Sequence, residues 1–137
     1  MSREILFKAK RKYNGEWVEG YYVYCRKRHY ILPLKNETIG FNGIEDEWVE
    51  VNSDTICQYT GGRDKYHNKI WENDICEVNT QNIDEEDGYF VVQWDAESLR
   101  FVLTGNDLVL DFDNFGTGEV EVIGNIFDNQ EPLEVGE

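Results

Sequence analysis

Few residues in this 137-residue chain have the types and spacing that chemistry requires. The nucleophile candidates are Cys25, Cys57 and Cys76, 32 and 19 positions apart, and the histidines are His29 and His67. A thiolate needs a base beside it, so a Cys57–His67 dyad forms only if folding juxtaposes the two. Cys57 and Cys76 each alternate with apolar residues, which predicts buried structural thiols instead. No paired C-x-x-C or His spacing offers a zinc site, so neither metal nor cofactor is expected. The block Thr60-Gly61-Gly62-Arg63-Asp64 lacks the spacing of a phosphate loop and is not followed by a helical pattern; it reads as a turn. Counted from Asp111, a calcium loop needs an oxygen ligand at its fifth position and a bidentate Glu at its twelfth, where this chain has Phe115 and Val122. Asp84-Glu85-Glu86-Asp87 reads as a solvated charge run. The catalytic reading is thereby reduced to a small enzyme with a cryptic site at Cys57/His67 or an acidic cluster.

Charge is more informative than nucleophiles. The net charge is −15, yet residues 1–35 carry nine Lys/Arg against three Glu, or +6. Residues 36–137 carry four Lys/Arg against 25 Asp/Glu, or −21. Such a division marks an interaction surface, whose simplest form is the basic arm docking on the acidic body of its own or a neighbouring subunit. The candidate partner-binding residues are Lys10, Arg11, Lys12, Arg26, Lys27 and Arg28, clustered at two predicted turns. Tyr13, Tyr22, Tyr24 and Tyr30 lie near them, and cations interleaved with aromatics also suit a nucleic-acid single strand. Twenty-eight carboxylates disfavour nucleic-acid binding by the surface as a whole. The converse alternative is an acidic mimic of DNA that inhibits a DNA-binding enzyme, with Glu119 and Glu121 on one strand face about 6.6–6.8 Å apart.

The elements that must position these residues are strands. Period-two alternation rich in Val, Ile, Tyr, Phe and Trp recurs along the chain, and helical periodicity does not. Glu4–Ala9 places Ile5, Phe7 and Ala9 on one face. Asn14-Gly15 then predicts a type I′ hairpin, which requires positive φ at both central residues. Trp17–Cys25 returns with Trp17, Tyr21, Val23 and Cys25 on one side, Arg26-Lys27-Arg28 turns, and His29–Leu34 follows. A second Asn-Gly pair, Asn42-Gly43, precedes Glu47–Val51, and a short helix over Ser53–Tyr59 is capped by Ser53 or Asp54. Strands are predicted at Ile70–Trp71, Ile75–Val78, Tyr89–Trp94, Leu99–Leu103, Leu108–Phe112 and Val120–Phe127. The chain is therefore expected to be all-β, with few or no helices: an N-terminal meander over 1–54 and a barrel or sandwich over 55–137.

Three blocks carry a family resemblance. Arg3-Glu4-Ile5-Leu6-Phe7-Lys8-Ala9, the ungapped run Thr55–Cys76 (T-I-C-Q-Y-T-G-G-R-D-K-Y-H-N-K-I-W-E-N-D-I-C) and Glu121–Asn129 (E-V-I-G-N-I-F-D-N) resemble, in the same order, the signature segments of YopX-like phage and prophage proteins. Where that family has glycines in two turns, this chain has Tyr66-His67-Asn68 and Asn73. Asn and His are among the residues that best tolerate the left-handed backbone glycine serves. The resemblance implies an SH3-like small barrel from Ile70 onward and a phage or prophage origin, and it leaves the function blank.

The free-thiol pattern and the lack of an apolar run near 18 residues predict a soluble intracellular protein with no membrane segment, and the resemblance implies that the cytoplasm is that of a bacterium. The function expected is a non-enzymatic β-barrel binding module acting through contacts with a host or phage protein. A homo-oligomer that covers its edge strands is the accompanying expectation.

Overall fold

A computed structural model describes residues 4–34, 48–78, 88–105, 108–112 and 119–129. The chain is all-β, in two antiparallel sheets, as its alternation predicts. It divides into two compact units, Met1–Tyr59 and Thr60–Glu137.

In the first unit β1 (Phe7–Lys10), β2 (Trp17–Cys25), β3 (Arg28–Pro33) and β4 (Val49–Glu50) pair in sequence order. The ribbon then curls back on itself. Arg11 pairs with Val51, Lys12 N–H donates to Glu50 O at 2.9 Å and Asn52 N–H donates to Lys10 O at 2.9 Å. Ala9, Val18, Ile31 and Val51 fill the curl, with Phe7, Tyr22, Val49 and Ile56 against them. Over the first part of β2 the face predicted is therefore reversed, with Val18 and Gly20 buried and Tyr21 exposed; towards its end Tyr24 is exposed and Val23 and Cys25 are half-buried. Ile5 is likewise exposed, and Leu6 is buried in its place. A one-residue slip in period-two reading moves every side chain to the other face, and Tyr, Val and Cys look equally at home on either. Gly20 permits the close approach of β3, since a Cβ there would run into the Leu32 carbonyl oxygen.

The helix expected over Ser53–Tyr59 is a single 3-10 turn, Ser53–Thr55. Asn52, not Ser53 or Asp54, caps it, its side chain accepting from Asp54 N–H. Beyond it β5 (Cys57–Arg63) is a strand throughout, so the diglycine read as a turn is strand backbone with a left-handed residue at Gly61 (φ 96°). Its Cys57–Gln58 segment pairs with β1.

In the second unit β6 (Lys69–Trp71) is followed by β7 (Asp74–Val78), β8 (Gly88–Asp95), β9 (Arg100–Gly105), β10 (Leu108–Asp111) and β11 (Val120–Asn125). The last five form a sheet ordered β10-β9-β8-β7-β11. Ile70, Cys76, Val78, Phe90, Val92, Leu103 and Val120 make its core, with Phe101, Leu110, Phe112 and Val122 packed against them.

The turns show where left-handed backbone was legible. His67 and Asn73 both have φ 73°, so each stands in for glycine as expected. Asn14-Gly15 turns differently from the type I′ expectation. Only Gly15 has positive φ (78°), and its N–H reaches back to Arg11 O, closing a four-residue loop. The loop between β8 and β9 has the same closure, Leu99 N–H to Asp95 O at 2.7 Å, with Leu99 at φ 60° where the first loop has glycine. The two-residue hairpin with positive φ at both centres is Arg26-Lys27, at φ 54° and 67°. Asn42-Gly43 lies outside the described residues.

Candidate functional site

The left-handed Arg26-Lys27 pair is the most telling local feature of the first unit. Each L-residue with a Cβ is penalised there by roughly 1–2 kcal/mol, and sequences favour Asn-Gly in such turns. Here the chain places two exposed cations at the tip instead, with Arg28 next in the strand. Backbone strain of this kind concentrates at functional positions.

Behind the tip lies a cleft of about 540 Å³ lined by Lys12, Lys27, Arg28, His29, Glu50 and the Val51–Ser53 segment. The curl of the first unit makes it, because Arg11–Val51 pairing carries the β1–β2 turn beside β4 and the β2–β3 turn. Among the described residues, Glu50 is its one carboxylate. Lys12 Nζ lies 3.5 Å from Glu50 Oε2, and an Arg28 guanidinium nitrogen lies 3.7 Å from Oε1. A second, smaller hollow of about 370 Å³ is bounded by Arg11, Lys12, Tyr13, Asn14, Val49 and Glu50, with Tyr13 almost wholly exposed.

His29 is held by aromatic neighbours. Its Nδ1 is 2.6 Å from the Tyr22 hydroxyl, the Tyr22 ring stacks on it at 5.9 Å between centroids, and Tyr24 tilts over it at 5.0 Å. Burial, reinforced by neighbouring Tyr24, raises the Tyr22 pKa, so its hydroxyl remains protonated.

The six cations singled out in the sequence thus separate into groups. Lys12, Lys27 and Arg28 converge on the cleft, Arg26 stands at the hairpin tip, and Arg11 borders the smaller hollow. Lys10 points elsewhere: with Lys8 it brackets the Trp17 ring, at 5.4 and 4.6 Å from its centroid. His29 was noted for its chemistry but not as part of this site, and Glu50, Asn52 and Ser53 were not legible as site residues. Their only sequence signal was proximity to short strands, and β4 reaches the basic turns through non-local pairing.

The other chemical candidates have structural roles. Cys57 is buried and its thiol donates to Thr55 O at 3.3 Å, whereas His67 is an exposed turn residue. Burial, with the nearby carboxylates of Asp74 and Asp64, pushes the Cys76 thiol far up, which favours its protonated form. Asp111 pairs with Arg100 at 2.9 Å, and Glu121 lies 3.9 Å from Lys65. Asp84–Asp87 lie outside the described residues. Among the described residues no cluster of three or more His, Cys, Asp or Glu is placed to hold a metal. No described helix is long and apolar enough to cross a membrane.

Asp64, at the centre of the Thr55–Cys76 block, is buried and charged. Its Oδ1 accepts the N–H groups of Tyr66 and Asn68 at 2.9 Å each, and its Oδ2 accepts Val122 N–H at 2.9 Å. Burial alone would raise its pKa; the bonds from Val122, Asn68 and Tyr66 outweigh that and lower it. Lys65 N–H adds a bond to Val120 O at 3.0 Å and Ile126 N–H one to Asn73 O at 3.1 Å. The central and terminal sequence blocks are thereby clasped together, Asp64 and Lys65 on the outer edge of β11 and Asn73 at the end of its pairing with β7, which accounts for their occurring together.

The family model described as "YopX protein" matches residues 6–134. Among solved structures, the crystal structure of protein EF1440 from Enterococcus faecalis is similar, with 24% identity and a TM-score of 0.54, over 96% of this chain and 99% of that one. That likeness extends the fold and no further. No curated protein matches the chain.

Proposed function

The chain belongs to the YopX protein family, and on that premise we propose that it is a non-enzymatic β-sheet binding module, of phage or prophage origin, acting through protein contacts in the bacterial cytoplasm. The observation that carries this reading is the convergence of Lys12, Lys27 and Arg28 on one cleft, behind a hairpin whose strained tip is Arg26-Lys27. Catalysis finds no support in the same places: the buried thiols are protonated or engaged, and the buried carboxylates Asp64 and Asp74 bond to backbone N–H groups. An SH3-like closure of the second unit belongs to this proposal and is favoured by the return of β11 to β7. Assembly of copies, basic end to acidic body, belongs to it as well, and the +6 and −21 segments favour it.

Affinity capture from bacterial lysate with the wild type and with an Arg26→Ala/Lys27→Ala/Arg28→Ala variant tests the reading. A protein retained by the first and lost with the second is expected. Equal capture by both, or recovery of nucleic acid in place of protein, overturns it.

A further inference from the structure

The cleft holds more positive charge than its own carboxylate cancels. Among the described residues lining it, Lys12, Lys27 and Arg28 supply three formal charges against one from Glu50, a surplus of two. Glu50 spans Lys12 and Arg28 at 3.5 and 3.7 Å, beyond the roughly 2.7–2.9 Å of a good charge-assisted bond. Both cations keep about two-thirds of their side-chain exposure, 66% and 64%. Pairs this open are weak and easily exchanged.

We infer that the cleft is a site for a phosphate monoester carried by a protein partner, and that Glu50 is a resident competitor lying where the phosphate oxygens would sit. A monoester carries about −1.5 to −2 at neutral pH, which matches the surplus, together with three acceptor oxygens. The donors facing it are of the right kinds. Arg28 offers a planar fork and Lys12 and Lys27 offer point charges. Ser53 contributes a hydroxyl, and Asn52 an amide nitrogen, its Oδ1 being engaged by Asp54 N–H. A phosphodiester strand fits less well, because every nucleotide beyond the first meets a chain with 25 carboxylates and four Lys/Arg over residues 36–137. This inference rests on the basic end being the contact surface.

The test is backbone-amide NMR titration of the whole chain with inorganic phosphate, a phosphoserine peptide, its unphosphorylated form and an oligonucleotide lacking terminal phosphate. Phosphate at millimolar concentration and the phosphopeptide are expected to shift Lys12, Lys27–His29, Asn52 and Ser53. Glu50→Gln should tighten phosphopeptide binding about fivefold, the equivalent of one exposed ion pair removed. Arg26→Asn/Lys27→Gly should weaken it about tenfold while keeping the turn folded, since Asn-Gly suits its backbone. No shift at those residues, equal binding of the unphosphorylated peptide or of the oligonucleotide, or weaker binding by Glu50→Gln overturns the inference. The two readings separate in lysate: capture that depends on the basic turns but survives phosphatase treatment keeps the binding module and removes the phosphate.

Discussion

Asp64 accepts the backbone N–H of Val122 at 2.9 Å across 58 positions of sequence. This one bond joins the turn between β5 and β6 to the edge of β11 and ties the two most recognisable sequence blocks together. An edge strand exposes unpaired N–H and C=O groups that invite further pairing; here the Asp64 carboxylate and Lys65 N–H occupy two of them.

Asp64→Asn replaces an oxygen that accepts with an amide that donates, at one end or the other of this network. A buried N–H is then left facing a donor, and the charge-assisted bonds are weakened. The expected loss is about 3 kcal/mol in equilibrium denaturation, with no change in binding at the basic turns of the other unit.

Acid should reveal the same residue. The folded-state pKa of Asp64 is below its ordinary value of 3.8, so the folded state favours the ionised form. Its contribution is present above that value and is lost as pH falls through it towards the lowered one. Denaturation midpoints measured between pH 6 and about pH 2.5 should decline steeply below pH 4 in the wild type and less in Asp64→Asn.

The Arg26-Lys27 turn predicts opposite effects on stability and binding. Arg26→Asn/Lys27→Gly relieves two left-handed L-residues and should raise stability by about 1–2 kcal/mol, while lysate capture through the basic end falls. A variant that is both less stable and fully competent in binding would contradict the role given to the strain.

Thiol labelling should distinguish the three cysteines. Cys57 and Cys76 are buried and Cys25 is half-buried. Mass spectrometry after brief alkylation should find the first label on Cys25 in the native protein and all three labelled only after unfolding.

Gly20→Ala tests the curl of the first unit. The added methyl meets the Leu32 backbone carbonyl, which no rotamer change can move. Loss of β2–β3 pairing near Gly20↔Pro33 is expected, with a destabilisation of about 3 kcal/mol or more. The β7–β8 amides of the other unit should keep their hydrogen-exchange protection.

Local chemistry was readable where neighbours along the chain decide it. The strand alternation, the turns at His67 and Asn73 and the basic residues at hairpin ends all follow from nearest-neighbour preferences. The type of turn was not readable from the same preferences. Asn14-Gly15 has the composition of a type I′ turn but closes as a four-residue loop, and the Arg26-Lys27 turn has the geometry without the composition. Loop length between paired strands, set by register, overrode residue preference.

By itself, then, the sequence determined an all-β chain, its family blocks, and a basic arm set against an acidic remainder. Tertiary structure decided which face of β2 is buried, because a period of two reads equally well in either phase until a partner covers one side. It also decided that Asp64 is a clasp and that Glu50 sits among three cations. A carboxylate's role depends on which donors reach it, and those donors arrive from elements far away along the chain, brought there only by strand pairing.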